Sequence, residues 1–175
     1  MKLLQSGRDP DIEAEAEFRH ELSALCGLPC LGATTEASCG TLVTLHLGRA
    51  FHLKEPLIDE HIPEFLRAHE GEILLHVGCA WRLDAPTEII CGPVHKAHDA
   101  PGTIAGLARL AGATLVDVRA TGPAHDLELE FTDGLVFRVF CDRIQSDGDD
   151  NYSLPTQTTS YLIGPAGKLT MKPIE

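Results

Sequence analysis

Within nine residues the chain carries Cys91, His95, His98 and Asp99. Thiolate, imidazole and carboxylate are the groups that zinc takes, and His95 and His98 stand close enough in sequence to reach one ion. Cys91 could equally act as a nucleophile if a histidine stood beside it as base. Pro93 interrupts the stretch, however, no helix fixes the spacing, and no H-E-x-x-H base accompanies it. The stretch reads first as a surface loop. Cys91, His95 and His98 are kept as subsidiary metal candidates, and no cofactor is expected.

Other chemistry-bearing residues give weaker patterns. Asp147, Asp149 and Asp150 flank Gly148, but a calcium loop needs alternating oxygens and a terminal Glu that is missing here. Cys26 and Cys30 lack a second pair at zinc-ribbon spacing. The glycines from Gly102 to Gly112 match neither the P-loop nor the dinucleotide pattern. Glu128 and Glu130 share one face of a strand, with Arg138 on the partner strand. They should form cross-strand charge pairs or, alternatively, a docking face.

Composition narrows the class. The 175 residues hold 26 acids and 14 Lys or Arg, for a net charge of −12. Nucleic-acid binding needs a basic footprint, and no Lys/Arg cluster exists. Anionic membrane surfaces are disfavoured by the same charge. An acidic surface suits a basic protein partner, although solubility alone also explains it. No apolar run approaches the length of a membrane span. The N-terminus turns polar after two leucines, so the expected location is cytoplasmic. The six cysteines then read as reduced and mostly buried.

The elements that must position these groups are mostly strands. Asp126 to Asp142 alternates apolar and polar residues on both sides of Asp133-Gly134, which predicts a β-hairpin. A helix is expected over 10–26, ended by Gly27. Strands are expected at 41–47, around Phe51 to Leu53, at Glu72 to Leu83, Glu88 to Cys91 and Thr114 to Ala120. A short helix is expected from Pro63 to His69 and another from Pro101 to Leu110. A last hairpin turns at Gly164-Pro165-Ala166-Gly167. The predicted core is Phe18, Leu22, Leu45, Leu75, Val77, Trp81, Val116, Leu129, Phe131, Phe137 and Val139. The whole reads as one α+β domain over 1–175, with a sheet-rich body over 41–172. That body is an antiparallel curved sheet or two-sheet sandwich of about eight strands, with two or three helices.

Trp81-Arg82-Leu83, Ile89-Ile90-Cys91-Gly92, Leu127-x-Leu-x-Phe131-x-Asp133-Gly134-Leu135, Asn151-Tyr152 and Gly164-Pro165-x-Gly167 together resemble a pattern in small bacterial proteins of unknown function. Some of those resemble immunity proteins of toxin systems. The resemblance implies a non-enzymatic protein that binds and occludes a cognate basic toxin, and it supplies no catalytic residues. Charge then nominates Glu128, Glu130, Asp147, Asp149 and Asp150 as partner-binding residues. The alternatives are a small metal- or cysteine-dependent enzyme using Cys91, His95 and His98, or a homodimeric structural module.

Overall fold

In the structure, a computed structural model, the hairpin forms between β7 (Asp126–Phe131) and β8 (Val136–Phe140). Phe131 N–H donates to the Leu135 carbonyl at 2.8 Å. Asp133 and Gly134 both take the left-handed conformation, with φ of 64° and 72°. Glycine adopts it freely and aspartate tolerates it, which is why Asp-Gly marks this turn. The structure describes residues 10–35, 42–93, 99–145 and 148–174. Asp147, His95 and His98 lie outside them.

The fold is α+β. Among the described residues, eleven strands form two antiparallel sheets, of six and five strands, with three helices. The first sheet contains β1 (Cys30–Thr35), β2 (Val43–His52), β3 (His69–Val77), β9 (Tyr152–Pro155), β10 (Thr159–Ile163) and β11 (Leu169–Pro173), paired in that order. The second runs β5 (Glu88–Cys91), β4 (Ala80–Ala85), β8, β7 and β6 (Leu115–Thr121). Helix α1 (Pro10–Ala24) packs against β6 and β11, an edge strand from each sheet. Helix α3 (Ala100–Leu107) packs against β5 and β1, the opposite edges. Short helix α2 (Glu64–Ala68) contacts β1 and β3 and buries Leu66.

One continuous core joins α1, through Phe18, Leu22 and Leu25, to the inner faces of both sheets. Trp81 and Phe137 stack at its centre, 5.4 Å between ring centroids. Of the predicted core only Val116 fails, at 57% exposed. Strand β6 has a register shift between Leu115 and Asp117, where it pairs with β7. The bulge inserts one residue, so Leu115 and Val118 point inward and Val116 points out.

The count of eleven strands, against about eight expected, has local causes. Residues 30–35 and 152–155 pair as β1 and β9 although their composition is that of loops. Gly48, at φ 82°, does not turn the chain into a second strand. It sits in a bulge of the single long strand β2. The run from Glu72 to Leu83 is two strands in different sheets. The chain crosses between them at Gly78 and Cys79, whose N–H groups both donate to the Asn151 carbonyl, at 2.8 and 3.2 Å. Alternation survives the crossing, so Leu75, Val77, Cys79, Trp81 and Leu83 are all buried.

Candidate functional site

Four strands of the larger sheet align one outward position each. Thr34 pairs with Thr44, Thr44 with His76, and His76 with Ser153. Except for Thr35 at the end of β1, their neighbours along each strand face the core, so strand alternation sends these four side chains outward. Together they floor a groove of about 640 Å³. Asp59 and Ile62 line it from the segment before α2. Asp149 and Asp150 line it from the segment leading to β9.

The floor is hydroxyl and imidazole. Thr44 Oγ1 lies 2.9 Å from His76 Nδ1. The groove walls desolvate His76 in part and hold its pKa below the usual histidine value. One register step away, His46 is buried beside Thr34. Burial, and then the neighbouring His76, push the His46 pKa down to about 4, so His46 is neutral at pH 7. Gly71 N–H donates to His46 Nδ1 at 3.3 Å. Nδ1 is therefore the acceptor, and the ring proton sits on Nε2, 3.3 Å from Thr34 Oγ1.

The rim is acidic. Asp59 Oδ1 accepts from His61 N–H at 2.9 Å, which fixes the carboxylate in its turn. Asp149 is 96% exposed, and Arg143 reaches it only at 3.5 Å. Arg143 otherwise braces the crossover, donating to the Gly78 carbonyl. No Lys or Arg is among the described residues lining the groove. Neutral imidazole and hydroxyl oxygens below three carboxylates form a set of hydrogen-bond acceptors suited to ammonium or guanidinium groups.

Asn151, fully buried, holds this arrangement together. Its side chain donates to the Gly164 carbonyl at 2.8 Å and accepts from Arg143 N–H at 3.1 Å. Its backbone N–H donates to the Ile163 carbonyl at 2.7 Å, and its own carbonyl takes the two crossover N–H groups. Every polar group of this residue is used.

The nominated residues fall in three separate places. Asp149 and Asp150 are on the groove. Glu128 and Glu130 are on the other sheet, in a ladder of charge running across β4, β8, β7 and β6. Arg82 and Arg138 stand directly opposite each other. Asp84 bridges them, at 2.7 Å to Arg82 and 2.9 Å to Arg138. Burial raises the Asp84 pKa, but hydrogen bonds from both guanidiniums outweigh it and hold the carboxyl below its usual range. Glu128 pairs with Arg138 and, at 2.7 Å, with Arg119. Glu130 also pairs with Arg119. Both glutamates thus meet cations within their own sheet.

Cys91 is the third place. It is buried beneath α3, where a Cβ on Gly106 would come within 2.7 Å of its sulfur. Burial pushes its thiol up to about 11. A thiol held protonated is a poor nucleophile and a poor ligand. Among the described residues no three His, Cys, Asp or Glu side chains are grouped to hold a metal.

Comparison with known proteins finds no family model, no curated protein and no solved structure that matches this chain. No described helix is long and apolar enough to cross a membrane.

Proposed function

We infer that the chain is a non-enzymatic bacterial binding protein that receives a basic segment of a partner protein in the groove over Thr44, His76 and Ser153. The observation that carries this reading is the groove's rim. Asp59, Asp149 and Asp150 surround a neutral acceptor floor, with no cation among the described lining residues. The charge of −12 adds a long-range field that draws a basic partner in. An immunity protein that occludes a basic toxin is the specific form of this reading. Such a toxin would present Lys or Arg from its own substrate-binding surface.

Co-expression with the toxin encoded beside this chain's gene tests it. Growth should be rescued. The triple variant D59N/D149N/D150N should lose rescue and weaken binding by about 10- to 100-fold, a few charge-assisted hydrogen bonds' worth. The pair E128Q/E130Q should leave binding near wild type, because those charges are already engaged. Rescue that survives the triple variant would move the contact elsewhere and end the groove reading.

A further inference from the structure

Cys79 and Cys141 sit where the two sheets meet. Ala80 pairs with Phe140 at the start of β4 and the end of β8. One step outward, the antiparallel register places Cys79 opposite Cys141. They do not exchange backbone hydrogen bonds. Cys79 N–H donates to the Asn151 carbonyl, and Cys141 N–H donates to Asp126 Oδ1 at 2.7 Å. Opposed residues of this unbonded kind have Cα atoms about 4.5 Å apart, inside the range a disulfide spans. Cys141 Sγ donates to the His125 carbonyl at 3.6 Å, and the two thiols are close enough to influence each other's ionisation. Both are free.

From this geometry we propose that Cys79 and Cys141 are a modification site, joined reversibly into an intrachain disulfide by exchange with a low-molecular-weight disulfide such as oxidised glutathione. Cys141 is the partly exposed member and attacks first. Its thiolate breaks the small disulfide, forms a mixed disulfide and releases one small thiolate. The Cys79 thiolate then attacks the Cys141 sulfur and releases the second. Two protein thiols are oxidised, one small disulfide is reduced, and the two protons end on the released small thiols.

The environment sets the rate. Contact with Cys79, burial and the Asp126 carboxylate all hold the Cys141 thiol above its usual pKa. Burial, and then the neighbouring Cys141 and Cys79, raise the Tyr152 hydroxyl well above its usual value; it donates at 2.9 Å to the His125 carbonyl that Cys141 also meets. Exchange is therefore slow at neutral pH and accelerates about tenfold per pH unit in mild alkali. The bond would close a loop of roughly 60 residues that contains the whole of the smaller sheet. It would also tie Gly78 to the segment carrying Asp149 and Asp150.

The test is a peptide map of the full chain, reduced, then equilibrated natively with oxidised glutathione at pH 8.5. A nonreducing tryptic digest should give peptide 68–82 joined to peptide 139–143. The intact mass should fall by about 2 Da, and the melting temperature should rise by about 5–10 °C, reversed by dithiothreitol. Cys79→Ser should trap Cys141 as a stable glutathione adduct. Should that variant fail to fold, the wild-type map decides alone. Adducts at Cys26 or Cys141 without the joined peptides, or joined peptides only after unfolding in urea, would overturn the proposal.

Discussion

His46 is a histidine kept neutral by its surroundings, and that has a definite sign. Its folded pKa, about 4, lies below the ordinary 6.5. Below pH 6.5 the unfolded chain takes up a proton that the folded chain refuses. Stability is thus full above pH 6.5 and is lost as pH falls toward 4, by up to about 3 kcal/mol. His76, shifted the same way, adds to the loss. His46→Gln keeps an acceptor for Gly71 N–H and a donor for Thr34. Urea unfolding from pH 7 to 4.5 should show a shallower pH dependence in the variant, and parallel curves would refute the assignment. Asn151→Ala should cost about 1–3 kcal/mol, because it strands the Arg143 N–H in a half-buried site and takes one of two donors from the Gly164 carbonyl, which keeps Gly167 N–H at 3.2 Å. Equilibrium denaturation measures it directly. None of these residues announces itself in sequence. Thr34, Thr44, His76 and Ser153 lie far apart along the chain, and strand register alone aligns them. Cys91, His95 and His98 attract notice because they are close in sequence, yet Cys91 faces α3.

Elements were more legible than residues. The hairpin of β7 and β8 follows from its alternation and its Asp-Gly turn. The turn at Gly164 to Gly167 follows from its Gly and Pro content. That second turn contains two left-handed residues with opposite prospects. Ala166, exposed, has φ 55°, which costs a residue with a Cβ about 1–2 kcal/mol. Ala166→Gly should raise stability by about 0.5–1 kcal/mol after the added freedom of the unfolded chain is deducted. Gly167, at φ 75°, is buried, and a Cβ there would overlap the Pro123 carbonyl oxygen. Gly167→Ala should cost more than about 2 kcal/mol. Thermal melts of the pair check both signs. What sequence could not reveal at this scale were irregularities within strands. The bulge that turns Val116 outward and the crossing at Gly78 each preserve a plausible alternation on either side.

Across the whole molecule, charge is sorted by face. On the smaller sheet the ladder joins four carboxylates, Asp84, Asp117, Glu128 and Glu130, to three guanidiniums, Arg82, Arg119 and Arg138. The ladder is half exposed, so each pair contributes at most about 1 kcal/mol. E128Q/E130Q should lower stability by less than about 2 kcal/mol at low salt, and the difference should shrink in 1 M salt as screening replaces the lost pairing. An undiminished difference would point to packing instead. The fold class and the helices at each end of the body were readable from composition and periodicity. Two sheets were one of the two arrangements expected; which strands join which sheet was not readable, because the larger sheet is assembled from both ends of the chain.

That assembly has a temporal consequence. Strands β3 and β9 meet through only two register pairs, His76 with Ser153 and Val77 with Tyr152. During synthesis the first half of the groove leaves the ribosome roughly seventy residues ahead of the second. Until Ser153 follows and pairs, there is one wall, three strands of floor and no opposing carboxylates. On the proposed reading, an unfinished chain would hold no partner, and a cell relying on this groove for protection would need completed copies in reserve before the partner arrives.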